Sequence, residues 1–361
     1  MALNNAKNNE KIAVLTGGGT AGHCLPALAV GDELKKRGFT CVYVGSENGV
    51  EKKLAGEKGL EYHAVPCAKL ERRPTLKNLT VPVTLLRGIA AAEKTLEQIR
   101  PAVVFSKGGY VSLPVVIAAK RLNIPVALHE SDLTLGLANK ISLKYATVLF
   151  TGFKDTALEY PKAIFTGNPL RRELSAARDK SAIRKKYGFT EDKKVLFAFG
   201  GSQGAGTINE LVRKNLDELL KTFYVLHACG RGKLADVKKD GYIQTEYVSD
   251  MGEVYAISDV IVTRAGANAL AEIVAMKIPA LAIPLPKKNS RGDQIDNAKY
   301  YNKKGAINVL YEENITSQSF LSSVYETLKH GDNLKSNCKK CIPGDPAAAI
   351  ADKLVEISLQ T

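Results

Sequence analysis

Tryptophan is absent from this chain of 361 residues, and aromatic residues make up only 7% of it. A protein that stacks nucleic-acid bases needs aromatic platforms, so their scarcity, with no recognisable binding module, argues against nucleic acid as a partner. Long apolar runs are missing too. Arg87, Lys120, Arg264 and Lys277 interrupt the longest apolar stretches, which leaves no run of about 20 apolar residues to span a bilayer. Six cysteines fall short of a secreted disulfide scaffold, and no signal-peptide pattern precedes them, so reduced thiols in a cytoplasm are expected. Thirty glycines and fourteen prolines are too few for a fibrous chain. What the chain has is positive charge. Lys and Arg number 51 against 37 acids, a net +14 that favours a polyanionic partner: nucleic acid, an anionic membrane surface or a phosphorylated substrate.

Met1 to Glu10 are polar and read as a flexible leader. Ile12 to Leu15 form a short apolar run that ends in Thr16-Gly17-Gly18-Gly19-Thr20-Ala21-Gly22-His23, and Leu28, Val30 and Leu34 lead on to Lys35-Lys36-Arg37-Gly38. This is strand, glycine loop and helix, closed by basic residues and glycine. Further strands are predicted at Thr40 to Val44, Ala102 to Phe105 and Pro125 to Leu128. The pattern restarts at Val195 to Phe199, followed by Gly200-Gly201-Ser202-Gln203-Gly204-Ala205-Gly206 and a helix from Ile208, with later strands at Tyr224 to His227, Asp259 to Thr263 and Ala280 to Pro284. Strands apolar throughout and separated by helices imply parallel sheets covered on both faces. The expected fold class is α/β: two Rossmann-like doubly wound domains facing across a cleft. Turn residues cluster at Thr166-Gly167-Asn168-Pro169, so the domains are placed at 1–165 and 166–343, with a last helix within 344–361 packing back on the first.

A glycine turn between strand and helix lets the backbone approach a phosphate and aims N–H groups and the helix dipole at it. Gly17-x-Gly19-x-x-Gly22 fits the dinucleotide fingerprint, although tight helix–strand packing alone accounts for it as well. A nicotinamide or flavin enzyme needs an acid at the end of the second strand to grip the ribose. That strand ends Tyr43-Val44-Gly45-Ser46, with Glu47 beyond it, and no Walker lysine pattern is present. Two anion loops at strand ends point instead to chemistry joining two substrates, one carrying a diphosphate.

Several segments then occur in a specific order. They are Gly18 to His23, Gly108-Gly109-Tyr110-Val111-Ser112, His129-Glu130, Gly167-Asn168-Pro169-Leu170-Arg171, Gly200 to Ala205, Arg264-Ala265-Gly266-Ala267-Asn268 with Glu272, and Asp293-Gln294. Over nearly the whole chain this set resembles the bacterial UDP-N-acetylglucosamine–N-acetylmuramyl-(pentapeptide) pyrophosphoryl-undecaprenol N-acetylglucosamine transferases. The resemblance implies the two-domain GT-B fold and conversion of lipid I to lipid II at the cytoplasmic face of the bacterial membrane, for peptidoglycan. It implies UDP-N-acetylglucosamine and undecaprenyl-diphosphate-linked N-acetylmuramyl-pentapeptide as partners; no cofactor and no metal site are expected, since no metal-binding carboxylate cluster stands out, and the sequence leaves open assistance by a divalent ion.

By the same resemblance, the Ser202 loop receives the UDP diphosphate, with Arg171 adding a cation near the nucleotide. Val248 meets uracil through its backbone, Glu272 accepts from the ribose diol, Gln294 bonds the hexose hydroxyls, and Ala267 lines the donor site. Thr20, Ala21 and Gly22 close on the sugar and diphosphate region, from the donor or the acceptor side. His23 ends the first loop, and an ordinary imidazole pKa suits it as the base for the muramyl 4-hydroxyl, with His129-Glu130 as the rival. Ala21, Asp132, Ala269 and Asp293 stand where many members carry glycine, asparagine, threonine and glutamine, which bears on hexose recognition.

Between Lys69 and Arg87, Lys69, Arg72, Arg73, Lys77 and Arg87 surround Leu70, Leu76, Leu79, Val83 and Leu86, with Glu71 the one acid. A basic rim around apolar side chains suits peripheral attachment to an anionic membrane surface. Cys338-x-x-Cys341 has no second pair to complete a zinc site, and Cys24 points away from His23 on a helix, so neither carries chemistry.

Overall fold

Ala13, Val14, Leu15 and Thr16 are fully buried, which places the strand Lys11–Thr16 (β1) at the centre of a sheet covered on both faces. The computed structural model describes residues 11–69, 75–201 and 203–360. The predicted leader, Leu70 to Arg73 of the basic segment, and Ser202 lie outside the described residues. From β1 the chain alternates through α1 (Ala21–Lys36), β2 (Phe39–Gly45), α2 (Val50–Glu57), β3 (Glu61–Ala64), α3 (Val81–Ile99), β4 (Val103–Ser106), α4 (Ser112–Arg121), β5 (Val126–Glu130), α5 (Leu137–Ser142), β6 (Val148–Thr151), α6 (Lys154–Glu159) and β7 (Ala163–Phe165). These strands form one parallel sheet in the order β3-β2-β1-β4-β5-β6-β7.

The second half repeats the plan. It runs α7 (Lys180–Lys186), β8 (Lys194–Phe199), α8 (Gly206–Lys214), α9 (Leu216–Leu220), β9 (Phe223–Ala228), β10 (Tyr242–Thr245), α10 (Met251–Ile257), β11 (Val260–Thr263), α11 (Ala267–Met276), β12 (Ala280–Ala282), α12 (Asp293–Lys303), β13 (Asn308–Val309), α13 (Ser317–Lys329) and α14 (Gly331–Lys339). Its sheet, also parallel, has the order β10-β9-β8-β11-β12-β13. A final helix, α15 (Pro346–Ile357), follows.

Two units result. One runs up to Arg171 and takes the chain back from Pro343; the other is Arg172–Ile342. The sequence reading put the joint at 165/166 and the return at 343/344. In the first unit α15 buries Ile350, Ala351, Leu354 and Ile357 in the same core as Leu28, Leu34 and Phe105. Arg37 at the end of α1 pairs with Asp352 of α15 at 2.7 Å. Fully burying an Ile or Leu contributes about 1.5–3 kcal/mol, so the apolar seam outweighs this exposed ion pair. The strands β3, β6, β7, β10 and β13 did not stand out in the sequence. β3 reads Glu-Tyr-His-Ala with its outer positions exposed, and β13 has only two residues. His129 and Glu130, read as following a strand, are its last two residues.

In both sheets the strand order reverses beside the first strand, between β1 and β4 and between β8 and β11. Open parallel sheets offer ligands a crevice at the carboxyl ends of strands beside such a switch point. The turns that leave β1 and β4, and those that leave β8 and β11, carry the glycine motifs.

Candidate active site

In the first unit the turn after β1 leads into α1 at Ala21, so Ala21, Gly22 and His23 form the first helical turn and Thr20 is the N-cap residue. Thr20 does not cap the backbone with its side chain. Its hydroxyl instead lies 3.0 Å from His23 Nδ1, which fixes the imidazole at the head of the helix. Thr20 is exposed and His23 half-buried. Cys24 is turned inward, its thiol 3.2 Å from the Thr20 carbonyl, and burial pushes its pKa up to about 12. It is therefore a neutral thiol, no partner for His23 in nucleophilic chemistry.

The rival pair sits elsewhere in the same unit. His129 is fully buried at the end of β5. Its Nδ1 is 2.9 Å from the Lys107 ammonium, which can only donate, so Nδ1 accepts and Nε2 carries the proton. Nε2 donates to the Gly167 carbonyl at 2.9 Å. Burial first, and the Lys107 charge second, hold the imidazole well below its ordinary pKa. Lys107 is itself lowered to about 8 by burial, against the pull of Glu130 and Asp132. Glu130 accepts from Asp132 N (3.0 Å), Gly136 N (2.8 Å) and Asn139 Nδ2 (2.9 Å). Both groups are committed to internal partners, so this pair shapes the β4 and β5 ends.

In the second unit the turn 200–206 joins β8 to α8. A Cβ on Gly204 (φ +67°) would lie 1.9 Å from the Cys229 carbonyl oxygen, so only glycine lets this turn pack against the end of β9. Behind it, a buried relay holds α8 to the sheet. Asn209 donates to Cys229 O (2.9 Å) and meets His227 Nε2 (3.0 Å), while His227 Nδ1 meets the Tyr242 hydroxyl (3.0 Å). Burial, then the Arg213 charge, lowers His227 to about 4. Thr207, in the first turn of α8, donates to Glu312 at 2.9 Å, and Glu312 takes the Arg264 guanidinium from the end of β11.

The remaining donor-site candidates gather at this same edge of the second sheet. Val248 is buried just after β10, ahead of Asp250, which caps α10 and receives the Arg178 fork at 2.8 and 3.0 Å. Ala267 opens α11 and is buried, and Glu272 one turn on has one carboxylate oxygen held by the Tyr255 hydroxyl at 3.2 Å. Gln294, in the first turn of α12, anchors its Oε1 on Leu285 N at 3.0 Å. Arg171 is half-buried and closes the first unit's run of chain rather than belonging to the second.

The glycosyltransferase family 28 N-terminal domain matches residues 13–151, and the glycosyltransferase family 28 C-terminal domain matches residues 195–354. The chain belongs to glycosyltransferase family 28. Within the family it is 45% identical over 319 residues to the UDP-N-acetylglucosamine--N-acetylmuramyl-(pentapeptide) pyrophosphoryl-undecaprenol N-acetylglucosamine transferase of Lachnospira eligens, covering 87% of this chain and 90% of that one. It is 44% identical over 322 residues to the protein of the same name from Staphylococcus carnosus, covering 88% of each. In fold it is similar to the crystal structure of Acinetobacter baumannii MurG, with a TM-score of 0.73 at 23% identity over 96% of this chain and 99% of that one. As a family 28 glycosyltransferase, it has the two parallel-sheet, Rossmann-like units that the sequence led us to expect.

Structure adds residues that sequence reading missed: Glu51 beneath the first glycine turn, Lys107 beside His129, and the Asn209–His227–Tyr242 relay. Of these only Glu51 carries a signal in the sequence, an acid in the first turn of the helix after β2, four residues beyond Glu47. The relay has a measurable consequence. His227 is neutral when folded and its pKa is depressed from an ordinary value of about 6.5, so the unfolded chain binds more protons between there and about 4. Its stabilisation is whole above about pH 6.5 and is lost as pH falls through that window. Urea denaturation at pH 7 and pH 5 is expected to show the wild type losing on the order of 2 kcal/mol more than His227→Gln.

Proposed function

We propose that this glycosyltransferase moves N-acetylglucosamine from UDP-N-acetylglucosamine to the 4-hydroxyl of the muramyl sugar of undecaprenyl-diphosphate-linked N-acetylmuramyl-pentapeptide, with inversion, making lipid II from lipid I. The supporting observation is the gathering of the turn 200–206, Val248, Ala267, Glu272 and Gln294 at the carboxyl edge of one sheet, in a chain whose relatives carry that activity in their names. The turn and the head of α8 take the UDP diphosphate, where N–H groups and the helix dipole contribute about 0.3–1 kcal/mol toward the leaving charge. Arg171 is the cation assigned to the nucleotide. The backbone at Val248 reads uracil, Glu272 accepts from the ribose diol, and Gln294 orients the hexose.

The first unit supplies the proton acceptor. When His23 Nδ1–H donates to the Thr20 hydroxyl, the lone pair lies on Nε2, and that nitrogen takes the proton of the attacking 4-hydroxyl. Ala21 and Gly22 bring the backbone close to the reacting sugars. The displacement breaks the anomeric carbon–oxygen bond to UDP as the new glycosidic bond forms on the opposite face.

The acceptor is lipid-borne, so the enzyme works at a surface. Among the described residues no helix is long and apolar enough to cross a membrane. Leu79, in the turn before α3, and Val83 and Leu86, in its first turns, are 73%, 52% and 64% exposed, a display of apolar surface, and Arg87 and Lys69 are exposed as well. Peripheral attachment to the anionic cytoplasmic leaflet through this segment follows, at about 1 kcal/mol per well-placed cation.

Incubation with labelled UDP-N-acetylglucosamine and a lipid I analogue is expected to yield the disaccharide product and UDP; an acceptor left unglycosylated would contradict the reading. In that assay His23→Ala is expected to lower kcat by about 10²–10⁴ while KM for the donor stays within a few-fold. Replacing Leu79, Val83 and Leu86 together by Ser is expected to abolish cosedimentation with vesicles containing anionic lipid, and wild-type protein left in the supernatant at low salt would sink the membrane assignment.

A further inference from the structure

Glu51 is a fully buried acid, the second residue of α2, on the element that follows β2. Its carboxylate turns back rather than out. Oε1 accepts from Ser46 N at 3.1 Å and from the Ser46 hydroxyl, and Oε2 accepts from Gly19 N at 3.3 Å. A Cβ on Gly18 would lie 2.7 Å from the carboxylate, so the backbone of the turn is laid directly over it. Tyr62 closes the arrangement by donating its hydroxyl to the Ser46 carbonyl at 2.5 Å. In a nucleotide-binding doubly wound unit, the N–H groups of this turn meet a phosphate and the acid after the second strand meets a ribose. Here the acid has swung inward and taken an N–H of the turn itself.

We propose that Glu51 is a positioning residue that stands in for a ligand anion at the first glycine turn. Its carboxylate occupies the Gly19 N–H, sets a negative charge against any diphosphate there, and locks the backbone so that Thr20 and His23 are presented in one orientation. The first turn, despite its dinucleotide-like spacing, is thereby held from within as a base-positioning element. This rests on the transfer reaction proposed above and names the residue that holds its base in place.

The test uses the full chain with Glu51→Gln, which preserves volume but sets a neutral amide against the Gly19 N–H, and Ser46→Ala, which removes one support of the carboxylate without touching the turn. Kinetics with the donor and a lipid I analogue are expected to show kcat at least tenfold lower in Glu51→Gln and about threefold lower in Ser46→Ala. KM for UDP-N-acetylglucosamine should stay within threefold in both. Amide hydrogen exchange at Gly19 is expected to be at least tenfold faster in Glu51→Gln than in wild type, a readout that needs no substrate. Glu51→Gln with kcat within twofold of wild type, or with kcat kept and donor KM raised tenfold, would overturn the assignment. Wild-type protein that transfers nothing would instead remove the proposed reaction, leaving Gly19 exchange to decide the role of Glu51. Misfolding of Glu51→Gln would pass the decision to Ser46→Ala, where unchanged kcat and unchanged Gly19 exchange count against it.

Discussion

The contact on which the rest depends is between a glycine and a carbonyl. Gly204 packs where any Cβ would sit 1.9 Å from Cys229 O, and so the turn leaving β8 lies flat against the end of β9. That packing brings the first turn of α8 to the carboxyl edge of the sheet, with its N–H groups and dipole directed outward from the strand ends. Everything else at that edge serves to hold it. The Asn209–His227–Tyr242 relay ties α8 to β9 and β10, and the Arg264–Glu312–Thr207 bridge ties its head to β11. Buried polar chains of this kind are costly when half made, and here each named member has its partner.

The two units share a strand order, the first with one strand more, and they differ in what backs the glycine turn after the first strand. In the second the glycine turn packs on the Cys229 carbonyl with the neutral His227 imidazole behind it, and the Glu312 carboxylate at the head of α8 is paired with the Arg264 guanidinium. In the first it is backed by the Glu51 carboxylate. The same strand–turn–helix geometry is therefore filled from within in the first copy, and the second is the one proposed to take the diphosphate. His129 makes a parallel point. A buried histidine beside a glutamate reads as acid–base machinery, but both its ring nitrogens are spent on Lys107 and Gly167, and its neutral form braces the strand ends.

Much of this was legible in the sequence. Apolar strands that end in glycine turns, repeated twice, were enough for two parallel α/β units, and the ordered motifs carried the family. Strands such as β3 and β13 escaped because edge and near-edge strands are short and carry polar residues, with no two-faced burial to mark them. The site was legible to the level of which residues lie at which strand end. What periodicity and spacing cannot express is the direction of a side chain. Glu51 and Glu47 are equivalent as letters, yet one is buried beneath a turn and the other exposed. His23 and His129 both follow strand-like segments, yet one heads a helix near solvent and the other sits within a strand with no exposure.

The central claim is that look-alike turns have been given opposite tasks, and a crystal soaked with UDP tests it most directly. The account predicts the diphosphate against residues 200–206 and uracil beside Val248, with the Glu51 carboxylate still on Gly19 N. Nucleotide phosphates seated on residues 17–22, with Glu51 displaced, would contradict it.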